Sequence, residues 1–63
     1  MCIATVYSES HSGDRNVEMQ DVISLDLSGN DVIVTSLLGE TKSIQADIKH
    51  IDFVKHTVTL TVA

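Results

Sequence analysis

The sequence predicts an all-β fold, one small barrel of about five to seven short antiparallel strands, a count that fits ordinary strand lengths. Apolar residues recur at every second position instead of with a helical period: Val58, Leu60 and Val62 alternate with Thr57, Thr59 and Thr61. Glycine-bearing turn signals separate the alternating runs, at Gly29-Asn30 and around Gly39. The apolar positions are even-numbered from Ile44 through Ile48 and odd-numbered from Ile51. A one-residue slip would turn every later side chain to the wrong face, so a bulge or corner near Lys49-His50 is required. Such a corner folds one short sheet over onto itself, and an SH3-like barrel is the expected result. With 63 residues, the chain makes one domain over 1–63.

The first strand is expected from Cys2 to Tyr7. The run Ser8–Asn16 that follows has no apolar residue to anchor it and reads as a mobile loop. Ile23, Leu25 and Leu27 alternate with Ser24, Asp26 and Ser28. A two-residue hairpin at Gly29-Asn30 then sets Leu27 opposite Val32 and Leu25 opposite Val34. A loop over Gly39-Glu40-Thr41 would set Val34 opposite Ala46 and Val32 opposite Ile48, keeping one apolar face. The last hairpin is expected to turn at Lys55-His56, pairing Phe53 with Val58 and Ile51 with Leu60. The predicted core is therefore Ile23, Leu25, Leu27, Val32, Val34, Ile44, Ile48, Ile51, Phe53, Val58 and Leu60. On this reading, truncating Phe53 to Ala costs ~3–5 kcal/mol.

Composition narrows the function. A core this small rarely supplies more than ~3–5 kcal/mol, and the sequence has no disulfide or zinc pattern to add to it. Association into a homodimer is the remaining common way to bury more surface. Net charge is −5, and Arg15, Lys42, Lys49 and Lys55 are scattered. Phosphate neutralisation and base stacking both lack material, since Tyr7 and Phe53 are the only aromatic residues. The sequence has neither an apolar run of membrane-spanning length nor a leader pattern, so a cytoplasmic protein is expected.

Cys2 is the sole cysteine. It has no partner within the chain, and in the cytosol its thiol stays reduced. A cysteine more often starts a strand as a small apolar residue. At position 2, however, the thiolate lies within chelating reach of its own backbone nitrogen and of the amine and backbone of Met1. Ni(II) and Cu(II) accept such planar N/S geometry, and thiolate also attracts Cu(I) and Zn(II). A Cys–His nucleophilic pair with His11, His50 or His56 has no spacing to favour it, and the small barrel offers little depth for a substrate, so no enzyme is expected. His11 lies in the polar loop, solvated or folded back as a further ligand. His56 belongs in a tight turn and His50 on a strand surface, both outside the ion's immediate ligands.

Met1-Cys2 at the start, Leu38-Gly39-Glu40 in the central turn, and Ile48-Lys49, Val54, His56 and Leu60 toward the end are similar to the CooT-like family of small nickel-binding proteins. The resemblance runs over nearly the whole length. It implies an SH3-like barrel, a homodimer, and Ni(II) held through Cys2 with Met1 contributing its backbone. It also implies nickel delivery to a recipient enzyme such as carbon monoxide dehydrogenase. The polar segment Ser8–Asn16 and His11 depart from the family pattern. Two other functions compete. A small β-barrel RNA-binding module would show a basic, aromatic-lined groove. A metal-independent acidic adaptor would show an exposed apolar patch or an open strand edge, with Cys2 buried.

Overall fold

β-Branched residues at alternate positions favour extended backbone, and the computed structural model, which describes residues 3–62, contains strands joined by turns and no helix. The strands are β1 (Ala4–Glu9), β2 (Arg15–Ser28), β3 (Asp31–Ser36), β4 (Thr41–Asp52) and β5 (Thr57–Val62), neighbours in that order around a closed barrel. Successive strands of such a meander reverse direction, so the first and fifth run the same way. Closure is accordingly parallel, from Thr5 beside Thr57 to Glu9 beside Thr61. The purely antiparallel barrel expected from the sequence is corrected at this seam.

Two long strands make the corners. β2 pairs with β1 up to Val22 and with β3 beyond it, and Asp21 turns the chain there with φ 54°. β4 pairs with β3 through Gln45 and with β5 from Ala46 onward. The bulge required near Lys49-His50 is present, as a register shift between Ile48 and His50.

The Gly29-Asn30 hairpin has the expected register, Leu27 opposite Val32 and Leu25 opposite Val34. The next two hairpins differ from expectation. Ser36 closes the β3–β4 turn around Leu37, Leu38 and Gly39: its amide donates to the Glu40 carbonyl (2.8 Å), and its Oγ accepts from the Glu40 amide (3.1 Å). Val34 therefore faces Lys42, and Val32 faces Ile44. The β4–β5 turn is longer than two residues because Asp52 Oδ1 accepts from the amides of Val54 (3.0 Å) and Lys55 (2.8 Å). Ile51 then meets Val58, and Phe53 is lifted out of the ladder.

The polar stretch after β1 forms a hairpin instead of a loose loop. Ser8 and Glu9 pair with Asn16 and Arg15. Between them the Ser10 amide donates to the Asp14 carbonyl (2.9 Å), and Ser10 Oγ accepts from the Asp14 amide (3.2 Å). Side-chain hydroxyls and a carboxylate thus replace the missing apolar anchor. The buried Ser8 donates to Glu18 Oε2 (2.6 Å), and no buried side-chain polar atom among the described residues lacks a partner.

The core is Ala4, Val6, Val22, Val32, Val34, Val58 and Leu60, with Met19, Leu25, Ile44 and Ala46 packed against it. Val32, Val34, Val58 and Leu60 were expected to be buried. Ile23, Leu27, Ile48, Ile51 and Phe53 are corrected to exposed positions, Phe53 at 68%. Leu60→Ala in this small interior is expected to cost ~2–5 kcal/mol, enough to unfold most of the protein. Phe53→Ala, measured where the chain is monomeric, is expected to stay within about 0.5 kcal/mol of the parent. Urea denaturation of the two variants checks the assignment, and a larger loss from Phe53→Ala would contradict it.

Candidate metal centre

Parallel closure places the start of β1 against the turn that precedes β5. The Thr5 amide donates to the His56 carbonyl (3.0 Å). Below this bond lies a cavity of about 300 Å³ lined by Ile3, Ala4, Thr5, Asp21, Lys55 and His56. Asp21 is fixed from the other side, its carbonyl accepting from the Leu37 amide (2.8 Å). Asp21 and His56 are the two non-glycine residues with positive φ among those described, at 54° and 56°. That region costs ordinary side chains energy, though Asp, Asn and His tolerate it better than most. A neighbouring apolar groove is lined by Ile3, Ala4, Val22, Ile23, Ser24, Leu25 and Val58.

Met1 and Cys2, the residues expected to bind metal, lie outside the described residues, as does Ala63. Ile3 follows Cys2 directly and lines both the cavity and the groove. His11 is at the opposite end of β1, in a polar cleft with Asn30, Gln45, Asp47 and Thr61. His50 is exposed, its Nε2 4.0 Å from Asp52 Oδ2. The fold therefore brings His56 toward Ile3 and leaves His11 and His50 elsewhere. The sequence gave no hint of Asp21 or of its meeting with His56. The only local clue is that each residue type tolerates positive φ, which does not say that two distant corners converge.

No group of three or more His, Cys, Asp or Glu side chains converges among the described residues. The cavity offers one imidazole and one carboxylate, both acceptable to Ni(II). These two donors suit part of a coordination sphere, and the remaining donors would have to come from residues 1 and 2 or from another molecule.

The charges elsewhere are largely satisfied within the chain. Lys42 pairs with Glu18 (2.6 Å) and Lys49 with Glu9 (2.7 Å), while the Arg15 guanidinium lies 3.8 Å from the centre of the Tyr7 ring. The Lys42 hydrogen bond, helped by that from Ser8, holds the Glu18 carboxyl below its ordinary range. Little cation or aromatic face is left for an RNA backbone or base. Each described strand has two neighbours, which removes the open edge an adaptor would use for strand addition. No helix of the described residues is long and apolar enough to cross a membrane.

Fold and cavity together define a small closed β-barrel with a partial set of metal donors beside its amino-terminal strand. The sequence matches the family model described as CO dehydrogenase accessory protein CooT over residues 1–61, and the chain belongs to that family. A crystal structure described as a CooT from Carboxydothermus hydrogenoformans is similar in fold, with a TM-score of 0.88, 21% identity and 98% of each chain covered. No functionally curated protein matches.

The turn that presents His56 depends on Asp52. The amide of Lys55, and then that of Val54, hold the Asp52 carboxyl below its ordinary value of 3.8. A group with a depressed folded value stabilises the fold above its unfolded value and loses that contribution as pH falls through the folded one. Asp52→Ala is expected to speed hydrogen exchange at the Val54 and Lys55 amides and to lower the thermal midpoint at neutral pH. The gap from the parent should close as pH drops below about 3.8. A constant gap down to strong acid would contradict this role for the carboxylate.

Proposed function

We propose that the protein is a cytoplasmic nickel carrier that delivers Ni(II) to a recipient metalloenzyme of the CO dehydrogenase type. Membership of a CO dehydrogenase accessory family is the observation that carries this reading. An accessory protein of such an enzyme has a metal ion as an obvious cargo, and the chain's single soft donor is Cys2. Its thiolate is the decisive ligand in a planar N/S arrangement, with Met1 contributing through its backbone. His11, at the other end of β1, stays outside the coordination. The role is one of binding and release, without catalysis.

Two copies are proposed to associate with the ions near the two-fold axis. Exposed Ile3 and Ile23 line the apolar groove, and Ile51, also exposed, pairs with the groove residue Val58. A second copy would bury these side chains, adding the apolar area a seven-residue core lacks.

Thiolate ligation requires a deprotonated sulfur, so nickel affinity is expected to rise with pH and binding to release protons. Cys2→Ser is expected to abolish tight nickel binding and the thiolate-to-metal absorption while leaving the fold intact. Calorimetric titration, followed in the ultraviolet, decides the matter. A Cys2→Ser variant that binds Ni(II) as tightly as the parent would replace this reading with the metal-independent adaptor. Sedimentation over a concentration series tests association, and a strictly monomeric protein with and without Ni(II) would remove the dimer.

A further inference from the structure

We propose that His56 completes the coordination of the Ni(II) carried at residue 2, with the Asp21 carboxylate beside it offsetting the cation's charge. The inference rests on the carrier reading above and reverses the sequence-based expectation that His56 lies outside the ion's immediate ligands.

Topology separates the three histidines. His11 is at the far end of β1, and His50 faces Asp52 on the β4 surface. Only His56 lines a cavity together with Ile3. Residue 2 is one peptide unit from Ile3, a Cα step of about 3.8 Å. The Thr5-to-His56 backbone hydrogen bond fixes the turn against β1, so the distance between the imidazole and the start of the chain is set by the barrel seam.

The chemistry of the lining agrees. Imidazole and thiolate are both good ligands for late divalent ions, and imidazole exchanges without covalent change. Lys55 is the other charged group of the cavity and opposes a bound cation. Asp21 supplies the compensating negative charge from the β2 corner. A planar site made only of residues 1 and 2 would hold its ion on a flexible chain end. A donor anchored to the barrel gives the ion a fixed position relative to the folded domain, as a carrier that docks on its recipient requires.

Substitution by Asn provides a clean test, because Asn tolerates positive φ and keeps the turn. His56→Asn removes the imidazole; His56→Gly does the same with no side chain at all. Asp21→Asn removes only the charge. Each variant is first compared with the parent by circular dichroism and thermal midpoint, then titrated with Ni(II) alone. His56→Asn and His56→Gly are expected to lose about 10- to 100-fold in affinity and to shift the ligand-field absorption; Asp21→Asn is expected to lose about tenfold. In the parent, the His56 ring resonances should shift on adding Ni(II) while those of His11 and His50 stay in place. If Cys2→Ser abolishes binding but both His56 variants match the parent in affinity and spectrum, the proposal is overturned and the carrier reading stands. If Cys2→Ser binds as the parent does, the carrier reading falls, and the proposal with it.

Discussion

Parallel pairing of β1 with β5 is the constraint on which the rest of the molecule depends. A five-strand meander has its first and last strands running the same way, so it can close in only one sense. Once closed, neither strand is left as an edge, which removes the usual template for unwanted pairing. The same seam carries the start of β1 to the turn before β5, and the metal donors at that end follow from it. A barrel left open at this seam would separate Ile3 from His56 even with every hairpin intact.

Closure also explains the composition of the core. A ring this narrow has room for small and β-branched side chains, and its fully buried residues are Val6, Val32, Val34 and Leu60. Larger apolar residues are displaced to the rim and the turns, where Leu38, Phe53 and Val54 are all strongly exposed. Scattered exposed apolar residues are ordinary in folded proteins. The side chains around Ile3 differ because they line a continuous groove. The groove and the donor cavity share Ile3 and Ala4, so a partner covering the first also shields the second from water.

Fold class, the Gly29-Asn30 register and the β4 bulge were all legible in the sequence, because each is set by local chemistry or by parity. The slid hairpins were not. A slip of two pairs leaves every side chain on the same face, so alternation cannot distinguish Val32 opposite Ile48 from Val32 opposite Ile44. Side-chain hydrogen bonds decide such cases: Ser36 closes one turn and Asp52 the other. The hairpin at Ser10–Asp14 escaped for the same reason, its anchors being polar. Of the candidate site, Cys2 was legible as a lone soft donor, whereas Asp21 and His56 became neighbours only through the long-range seam.

The placement of those two residues has an energetic logic. Both hold positive φ, a cost that glycine would avoid, and Gly13, Gly29 and Gly39 serve at such positions elsewhere in the chain. A carboxylate and an imidazole at corners where glycine would be easier are accounted for by a role for the side chains themselves. The neighbouring contacts fit this view. Asp52 secures the turn through the Val54 and Lys55 amides, and Thr5 holds the His56 carbonyl, so the His56 backbone needs no help from its own ring. With its backbone held by others, the imidazole is left free to bind a ligand at the cavity it lines.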